Sequence, residues 1–187
     1  MVGDVSGGFV NDGPYSPGAP ALRSTRDDRA TVRWRNGQGT TQVVAETELW
    51  RVSIADEPTS STFSVIDDYD RLFMPIGGVP VELTGAGDAA PRIVAPLETA
   101  AFPGEWAPAC RVETPTRALN VMVRRGAATA TMRFGEPPRT ADPTALVVLV
   151  DPVTELALLL PPGSGDTVEF TSPCAIVTVT VTALARP

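Results

Sequence analysis

The chain has 187 residues, 43% hydrophobic and 20% charged, which allows one large domain or two small lobes around a packed core. Its formal net charge is −7 and its pI is about 4.6, which argues against nucleic-acid binding because phosphate neutralisation needs a basic surface. All 15 basic residues are arginine and histidine is absent, so a Ser-His-Asp triad, a Cys-His pair, a Schiff-base lysine and a Walker A lysine are excluded.

The predicted elements are short strands separated by turns. Residues 1–20 are rich in Gly, Pro, Ser and Asp and predict a flexible N-terminal extension, followed by one domain over residues 21–187. Strand-like runs then alternate with turn signals such as NGQG, GAA and DPVT, and in chain order they read ATVRWRN, TTQVVAE, ELWRVSIA, PVELT, APRIVAPL, ALNVMVRRG, TATMRF, TALVVLV, ELALLL and CAIVTVTVTAL. The pattern predicts an all-β chain of about ten or more short strands, arranged as a sandwich, jelly roll or barrel.

The two cysteines and the termini carry few functional signals. Cys110 and Cys174 match no metal spacing, so we expect two buried thiols in a cytosolic protein. No basic start precedes an apolar run, and no apolar stretch reaches the ~18 residues of a membrane helix, so we expect a cytoplasmic protein without a membrane partner. A metal site would need carboxylates alone, and we expect no metal and no cofactor.

The strand LWRVSIAD, residues 49–56, separates two kinds of side chain. Trp50, Val52 and Ile54 alternate onto one face, which should pack between β-layers. Arg51 and Ser53 share the other face, which either meets solvent or lines a cavity. In a cavity, the guanidinium could grip a carboxylate with two parallel hydrogen bonds and the serine could add a third.

The strand NVMVRRG, residues 120–126, offers a second candidate face. Asn120, Met122 and Arg124 alternate onto one side, which would suit a mixed polar and apolar cavity wall, or a strand end that meets solvent. In FPGE, Glu105 could balance one of the neighbouring arginines. A metal at Glu105 is disfavoured because no histidine accompanies it.

Two turn-like motifs have a structural and a functional interpretation. NGQG, residues 36–39, could be an anion-cradling nest, a turn that needs positive φ at glycine, or a loop whose Asn36 amide faces a pocket. DDYDR, residues 67–71, lacks the glycine and the distal glutamate of an EF-hand. There we expect Asp70 and Arg71 to fix a turn through local hydrogen bonds, or Arg71 to reach the mouth of the barrel.

Five motifs together resemble the HutD/Ves family. They are WRNGQGTT (34–41), LWRVSIA (49–55), FSVIDDYDR (63–71), FPGE (102–105) and LNVMVRRG (119–126). The resemblance implies a cupin-like double-stranded β-helix, often two stacked lobes. It also implies an accessory role in histidine utilisation or stress responses, with urocanate or a formylated glutamate as candidate ligands.

The chain departs from the family pattern at several positions. Arg35 stands where a lysine is usual, and Gln38 where a third glycine is usual. Thr41 and Gln42 replace an arginine-glutamate pair, and Ala118 stands where an aspartate is common. If the loop around WRNGQGTT contacts a ligand, these differences change the chemistry of that loop. The chain would then not share its ligand with the rest of the family.

Three functions remain open at this stage. The first is a non-enzymatic cupin that holds a small carboxylate through a set of ligand-binding residues, namely Asn36, Arg51, Ser53, Arg71, Glu105, Asn120 and Arg124. The second is an enzyme that uses a carboxylate base on a small acid, which a carboxylate beside the bound substrate would favour. The third is a structural or protein-interaction role, which an empty barrel with a large apolar outer patch would favour. The sequence leaves the oligomeric state open.

Overall fold

The structure is a computed structural model that describes residues 9–10, 19–34, 37–87, 90–165, 168, 170 and 172–182. Within these ranges the chain forms sixteen strands and no helix. The described residues therefore contain no helix long and apolar enough to cross a lipid bilayer. The all-β prediction is confirmed. The strands are β1 Phe9–Val10, β2 Leu22–Ser24, β3 Thr31–Arg33, β4 Thr40–Glu46, β5 Trp50–Glu57, β6 Ser61–Thr62, β7 Tyr69–Pro75, β8 Val81–Thr84, β9 Arg92–Val94, β10 Ala100–Pro103, β11 Ala109–Arg111, β12 Thr116–Arg124, β13 Ala128–Gly135, β14 Leu146–Val150, β15 Ala157–Leu160 and β16 Cys174–Val181.

These strands form three sheets. A seven-stranded sheet runs β1-β4-β5-β12-β7-β10, with β3 paired to β4. A four-stranded sheet runs β6-β11-β8-β9, and a five-stranded sheet runs β13-β16-β14-β15-β2. Strand β12 pairs antiparallel with β5 on one side and with β7 on the other, so these three strands form the middle of the largest sheet.

The largest core joins the seven-stranded and five-stranded sheets. Trp50, Val52 and Ile54 of β5 are fully buried there with Val148 of β14 and Val177 of β16. The prediction that the tryptophan face of β5 packs between β-layers is therefore confirmed. Because side chains alternate along a strand, Arg51 and Ser53 lie on the opposite face of the sheet.

A second core lies on that opposite face, between the seven-stranded and four-stranded sheets. Phe73, Phe102 and Ala118 of the larger sheet pack there with Leu83 and Cys110 of the smaller one. A third core covers the outer face of the five-stranded sheet. The molecule is thus layered, and the arginine face of β5 belongs to the space enclosed by the first two sheets.

Several sequence predictions match the observed strands closely. TTQVVAE forms β4, and ALNVMVRRG and TATMRF form β12 and β13 on either side of a turn at residues 125–127. The predicted hairpin between them is wrong, because β12 stays in the seven-stranded sheet while β13 crosses to the five-stranded sheet and pairs with β16. The predicted turn at DPVT is also present, with Pro152 at its start. The predicted extension over residues 1–20 lies outside the described residues except at 9–10, which pair in parallel with β4, and at 19–20.

The prediction that Asp70 and Arg71 fix a local turn is wrong. Both residues belong to β7, and the turn lies before them at Asp67 and Asp68, where Asp68 adopts a φ of 63°. The acidic run resembles a turn in sequence, but pairing with β12 and β10 extends this segment into a strand. The alternative, in which Arg71 reaches the mouth of the barrel, stays a prediction; the residue is nearly fully buried.

Candidate functional site

Two arginines flank one methionine across the middle of the large sheet. Met122 of β12 aligns with Arg51 of β5 on one side and with Arg71 of β7 on the other. Neighbouring strands lie about 4.8 Å apart, so the two arginine Cα atoms are separated by roughly 10 Å. Long side chains on one face can meet across that span, and we call these three residues the arginine row.

The next row on the same face is also polar. Ser53 aligns with Asn120, which aligns with Phe73, and Ser53 is almost fully buried. Arg124 follows Met122 by two positions on β12 and is exposed, at the outer end of the same face. Five of the seven predicted ligand-binding residues therefore lie on one face of three adjacent strands; their ligand-binding role stays a prediction.

Arg71 is a buried cation. Only 7% of the residue is exposed, and burial lowers the pKa of its guanidinium, which remains protonated because arginine titrates far above neutral pH. Its Nη2 donates a hydrogen bond to the Ser64 carbonyl oxygen at 2.6 Å, but its buried Nε has no hydrogen-bond partner. Among the described residues, no carboxylate forms an ion pair with Arg71.

Arg51 is half-buried and has a carboxylate neighbour. Its Nε lies 3.5 Å from Oε2 of Glu46, which aligns with it on β4. This contact is an ion pair, but its geometry is not that of a hydrogen bond, so the Nε proton of Arg51 is buried without an acceptor. Both arginines of the row therefore carry an unused donor.

Aromatic rings form the apolar part of the same space. The Phe63 ring meets Phe73 edge-on at 5.4 Å and Phe102 at 5.2 Å between ring centroids. The Arg71 guanidinium carbon lies 5.5 Å from the Phe63 centroid, within the range of a cation–π contact. This face of the sheet is thus polar and cationic at the arginine row and aromatic beside it.

Glu105 does not join the arginine row. Its carboxylate accepts hydrogen bonds from Arg125 and from the Asp68 backbone N–H at 3.0 Å, in an exposed network that includes Asp70. The hydrogen bonds from Arg125 lower the pKa of Glu105 to about 2. The expectation that Glu105 balances a neighbouring arginine agrees with this contact, but its place is on the outside of the barrel.

Asn36 lies outside the described residues, as does Arg35. Among the residues that the structure describes, the Trp34 backbone N–H donates to the Gly39 carbonyl oxygen at 3.0 Å, and the Gly37 N–H donates to the Trp34 carbonyl oxygen at 3.0 Å. Gly37 adopts a φ of 70°, which confirms the prediction of a positive-φ turn.

Three departures from the family pattern have structural roles. Thr41 accepts a 2.7 Å hydrogen bond from Nε1 of Trp34, and Gln42 donates from Nε2 to Oγ1 of Thr31 at 3.0 Å. Both contacts tie β3 and the turn to β4. Ala118 is fully buried in the core between the first two sheets, so the interior has a methyl group where the family commonly has a carboxylate.

The sequence analysis missed Glu57, a buried carboxyl at the other end of the β5 interior face. The residue is 2% exposed and accepts a 3.1 Å hydrogen bond from Oγ of Ser61. Burial raises its pKa to about 7. It aligns with Thr116, whose buried hydroxyl has no hydrogen-bond partner. The alternation of side chains along β5 could have revealed Glu57, because it shares one face with Arg51, Ser53 and Ala55. The predicted strand, however, ended at Asp56, one residue before it.

The cysteines give no sign of a metal or redox centre. Cys110 and Cys174 are both free and buried, as predicted. Burial raises the pKa of Cys110 to about 12 and that of Cys174 to about 11, so both remain thiols at neutral pH. The described part of the chain contains no cluster of three potential metal-ligating side chains.

An open groove of about 420 Å³ lies between the edge strands β10 and β13. Its lining is mostly small or apolar, with Ala101, Ala128 and Ala130 among its members, and it also includes Asp70 and Arg71. A ligand site normally combines an apolar wall with several convergent polar groups. Arg71 of the arginine row is one of the residues that line the groove, whereas Arg51, Ser53 and Asn120 are not.

Comparison with known proteins identifies the family of the chain and shows which solved structures share its fold. The HutD family model matches residues 26–156, which is more than half of the chain. No curated protein matches.

Two solved structures from Pseudomonas are similar over nearly their whole length. HutD from Pseudomonas fluorescens SBW25, solved in a formate condition, has a TM-score of 0.74 and 22% identity, and the match covers 87% of this chain and 100% of that one. A conserved protein of unknown function from Pseudomonas aeruginosa PAO1 has a TM-score of 0.68 and 20% identity, over 88% and 100% of the two chains. At these identities the likeness shows the fold alone.

A cupin superfamily protein from Desulfitobacterium hafniense is similar over a smaller part, with a TM-score of 0.40, 15% identity and 50% of this chain covered. The all-β, cupin-like fold predicted from the motifs is confirmed by the family match and by the Pseudomonas structures. The arrangement as two stacked lobes stays a prediction.

Proposed function

This chain belongs to the HutD family, and from that premise we propose that it is a non-enzymatic cupin that binds a small carboxylate at the arginine row. The observation that carries the proposal is Arg71, a buried guanidinium with an unused Nε donor and no carboxylate partner among the described residues. Burial of an unpaired charge is costly, so such a group is best explained by an anion that it receives.

The neighbours of Arg71 fit a carboxylate in particular. A guanidinium donates from a planar fork whose geometry matches the two oxygens of a carboxylate. Arg51 supplies a second guanidinium across Met122, and Ser53 and Asn120 supply a hydroxyl and an amide one row inward. At this end of the face three arginines stand against one glutamate, Glu46, because the second glutamate of the face, Glu57, lies at the far end of β5.

The ligand we propose is a small carboxylate of histidine breakdown, such as urocanate or a formylated glutamate, which the protein senses or buffers. The support is the family and the chemistry of the row, where aromatic rings lie beside the cations. The two buried free thiols are compatible with work in the reducing cytoplasm.

An enzyme with a carboxylate base is less well supported. The buried carboxyl in the barrel belongs to Glu57, and its pKa of about 7 would suit a general base. However, Glu57 lies six residues from Arg51 along β5, or roughly 20 Å at the rise of an extended strand. Phe73 and Ala118 occupy the space between the ends. A small acid held at the arginine row would not reach Glu57.

Thermal unfolding in the presence of small carboxylates tests the proposal. We expect formate, acetate, urocanate or N-formylglutamate to raise the melting temperature, with acetamide as a neutral control that does not. A ligand at ~100 times its dissociation constant stabilises a protein by about 2.7 kcal/mol. The absence of a shift for every carboxylate up to millimolar concentration would count against the proposal.

A further inference from the structure

A β-bulge in β4 determines which side chain of that strand lies beside Arg51. Strands β4 and β5 pair regularly from Thr40 to Val43, and the register then shifts by one residue before Ala45. An extra residue on one strand reverses which side chains face which way beyond it. Ala45 consequently aligns with Val52 in the large core, and Glu46 aligns with Arg51.

The bulge therefore moves a carboxylate onto the arginine face. Without the extra residue, Glu46 would align with Trp50 and point into the apolar core between the sheets. With it, the small Ala45 fills the core position and is fully buried. The bulge therefore has two effects. It keeps the charged Glu46 out of the apolar core, and it places the Glu46 carboxylate beside the arginine row.

The contact between Glu46 and Arg51 is loose. The two groups lie 3.5 Å apart, each side chain is 32% exposed, and the Arg51 Nε proton has no acceptor in hydrogen-bond geometry. Partly exposed ion pairs of this kind contribute little and exchange readily with other charged groups. Arg51 thus has an electrostatic partner in Glu46, but it keeps N–H donors that a carboxylate ligand could use for two parallel hydrogen bonds.

We infer that Glu46 is an internal competitor for Arg51, a carboxylate of the chain that an incoming ligand must displace or tolerate. This inference rests on the proposed function. Glu46 then sets the threshold concentration at which the site fills, because its charge repels a ligand carboxylate and its oxygens occupy the guanidinium. Arg71 has no such partner among the described residues, so the two arginines of the row have different parts in binding.

Glu46→Gln is the test, with acetate as the probe. The amide keeps the size of the side chain and removes its charge, so the dissociation constant of acetate should fall roughly fivefold, the factor expected for loss of one partly exposed ion pair. Glu46→Asp keeps the charge on a shorter side chain and should lie between wild type and Glu46→Gln. Glu48→Gln, an exposed neighbour two positions along, is the matched control and should bind like wild type.

The outcomes separate the two proposals. If wild type binds acetate and Glu46→Gln binds it equally or more weakly, Glu46 supports the site and the competitor role is overturned. If neither protein binds acetate, the proposed carboxylate site itself fails and the competitor role with it. Urea unfolding of Glu46→Gln without ligand should show a fold as stable as that of wild type.

Discussion

Glu155→Ala should lower the free energy of unfolding by about 1–3 kcal/mol, because a mostly buried guanidinium loses the more buried of its two carboxylate partners. Glu155 is 4% exposed and lies between β14 and β15 of the five-stranded sheet. Its carboxylate forms an ion pair with Arg117 of β12, and its backbone carbonyl accepts a hydrogen bond from buried Arg29. Arg117 also lies 2.8 Å from Asp56 of β5, so the cluster joins two sheets.

Urea unfolding at neutral pH measures this effect. The matched control is Glu82→Ala, which breaks an ion pair of 3.8 Å with Arg111 whose arginine side chain is 66% exposed, and should change stability by less than about 0.5 kcal/mol. The pair Arg117→Met and Glu155→Leu, combined, should lose less than the sum of the two single losses, because two apolar groups do not leave a charge unpaired. A loss below about 1 kcal/mol for Glu155→Ala would show that the cluster is not a stabilising link.

Glu57→Gln should stabilise the protein above neutral pH and have little effect in acid. Burial raises the pKa of Glu57 from 4.5 to about 7 in the folded state. Below pH 4.5 both states hold the proton; between pH 4.5 and 7 only the unfolded state releases it, so stability falls as pH rises. Above pH 7 the loss is complete and amounts to roughly 3 kcal/mol. An amide does not ionise, so the variant avoids this loss.

Denaturant unfolding from pH 4.5 to 8.5 tests this prediction. The difference between Glu57→Gln and wild type should grow with pH and level off above pH 7. Glu113→Gln changes an exposed carboxyl and should follow the wild-type profile. A Glu57→Gln variant that is destabilised equally at every pH would mean that the carboxyl is needed for its hydrogen bond with Ser61, and not that its burial is costly.

Alternation predicted the parts of the fold in which one face of a strand is buried. In β5, β12 and β16 the apolar side chains recur at every second residue, so the buried face could be assigned without a structure. The same logic placed Arg51, Ser53 and Asn120 on the opposite face. That these residues lie side by side depends on register, which the order β5-β12-β7 supplies and a single sequence does not show.

The missed features depend on partners distant in sequence. Strand β7 begins in an acidic run and ends at Pro75, so its composition is typical of a turn, and long-range pairing makes it a strand. The bulge before Ala45 has no local signature, yet it determines that Glu46 faces Arg51. The sequence predicts that Glu155 begins the strand ELALLL. Its ion pair with Arg117 depends on the packing of two sheets, which the sequence does not show.

The most direct test of the carboxylate site is calorimetric titration of Arg71→Met with the carboxylate that gives the largest thermal shift. Methionine fills a similar volume without a charge, so the variant should fold at least as stably as wild type without ligand. Loss of charge-assisted hydrogen bonds should weaken binding at least about tenfold, whereas Arg111→Met on the four-stranded sheet should bind like wild type. An Arg71→Met protein that binds the carboxylate as tightly as wild type would contradict the proposed site.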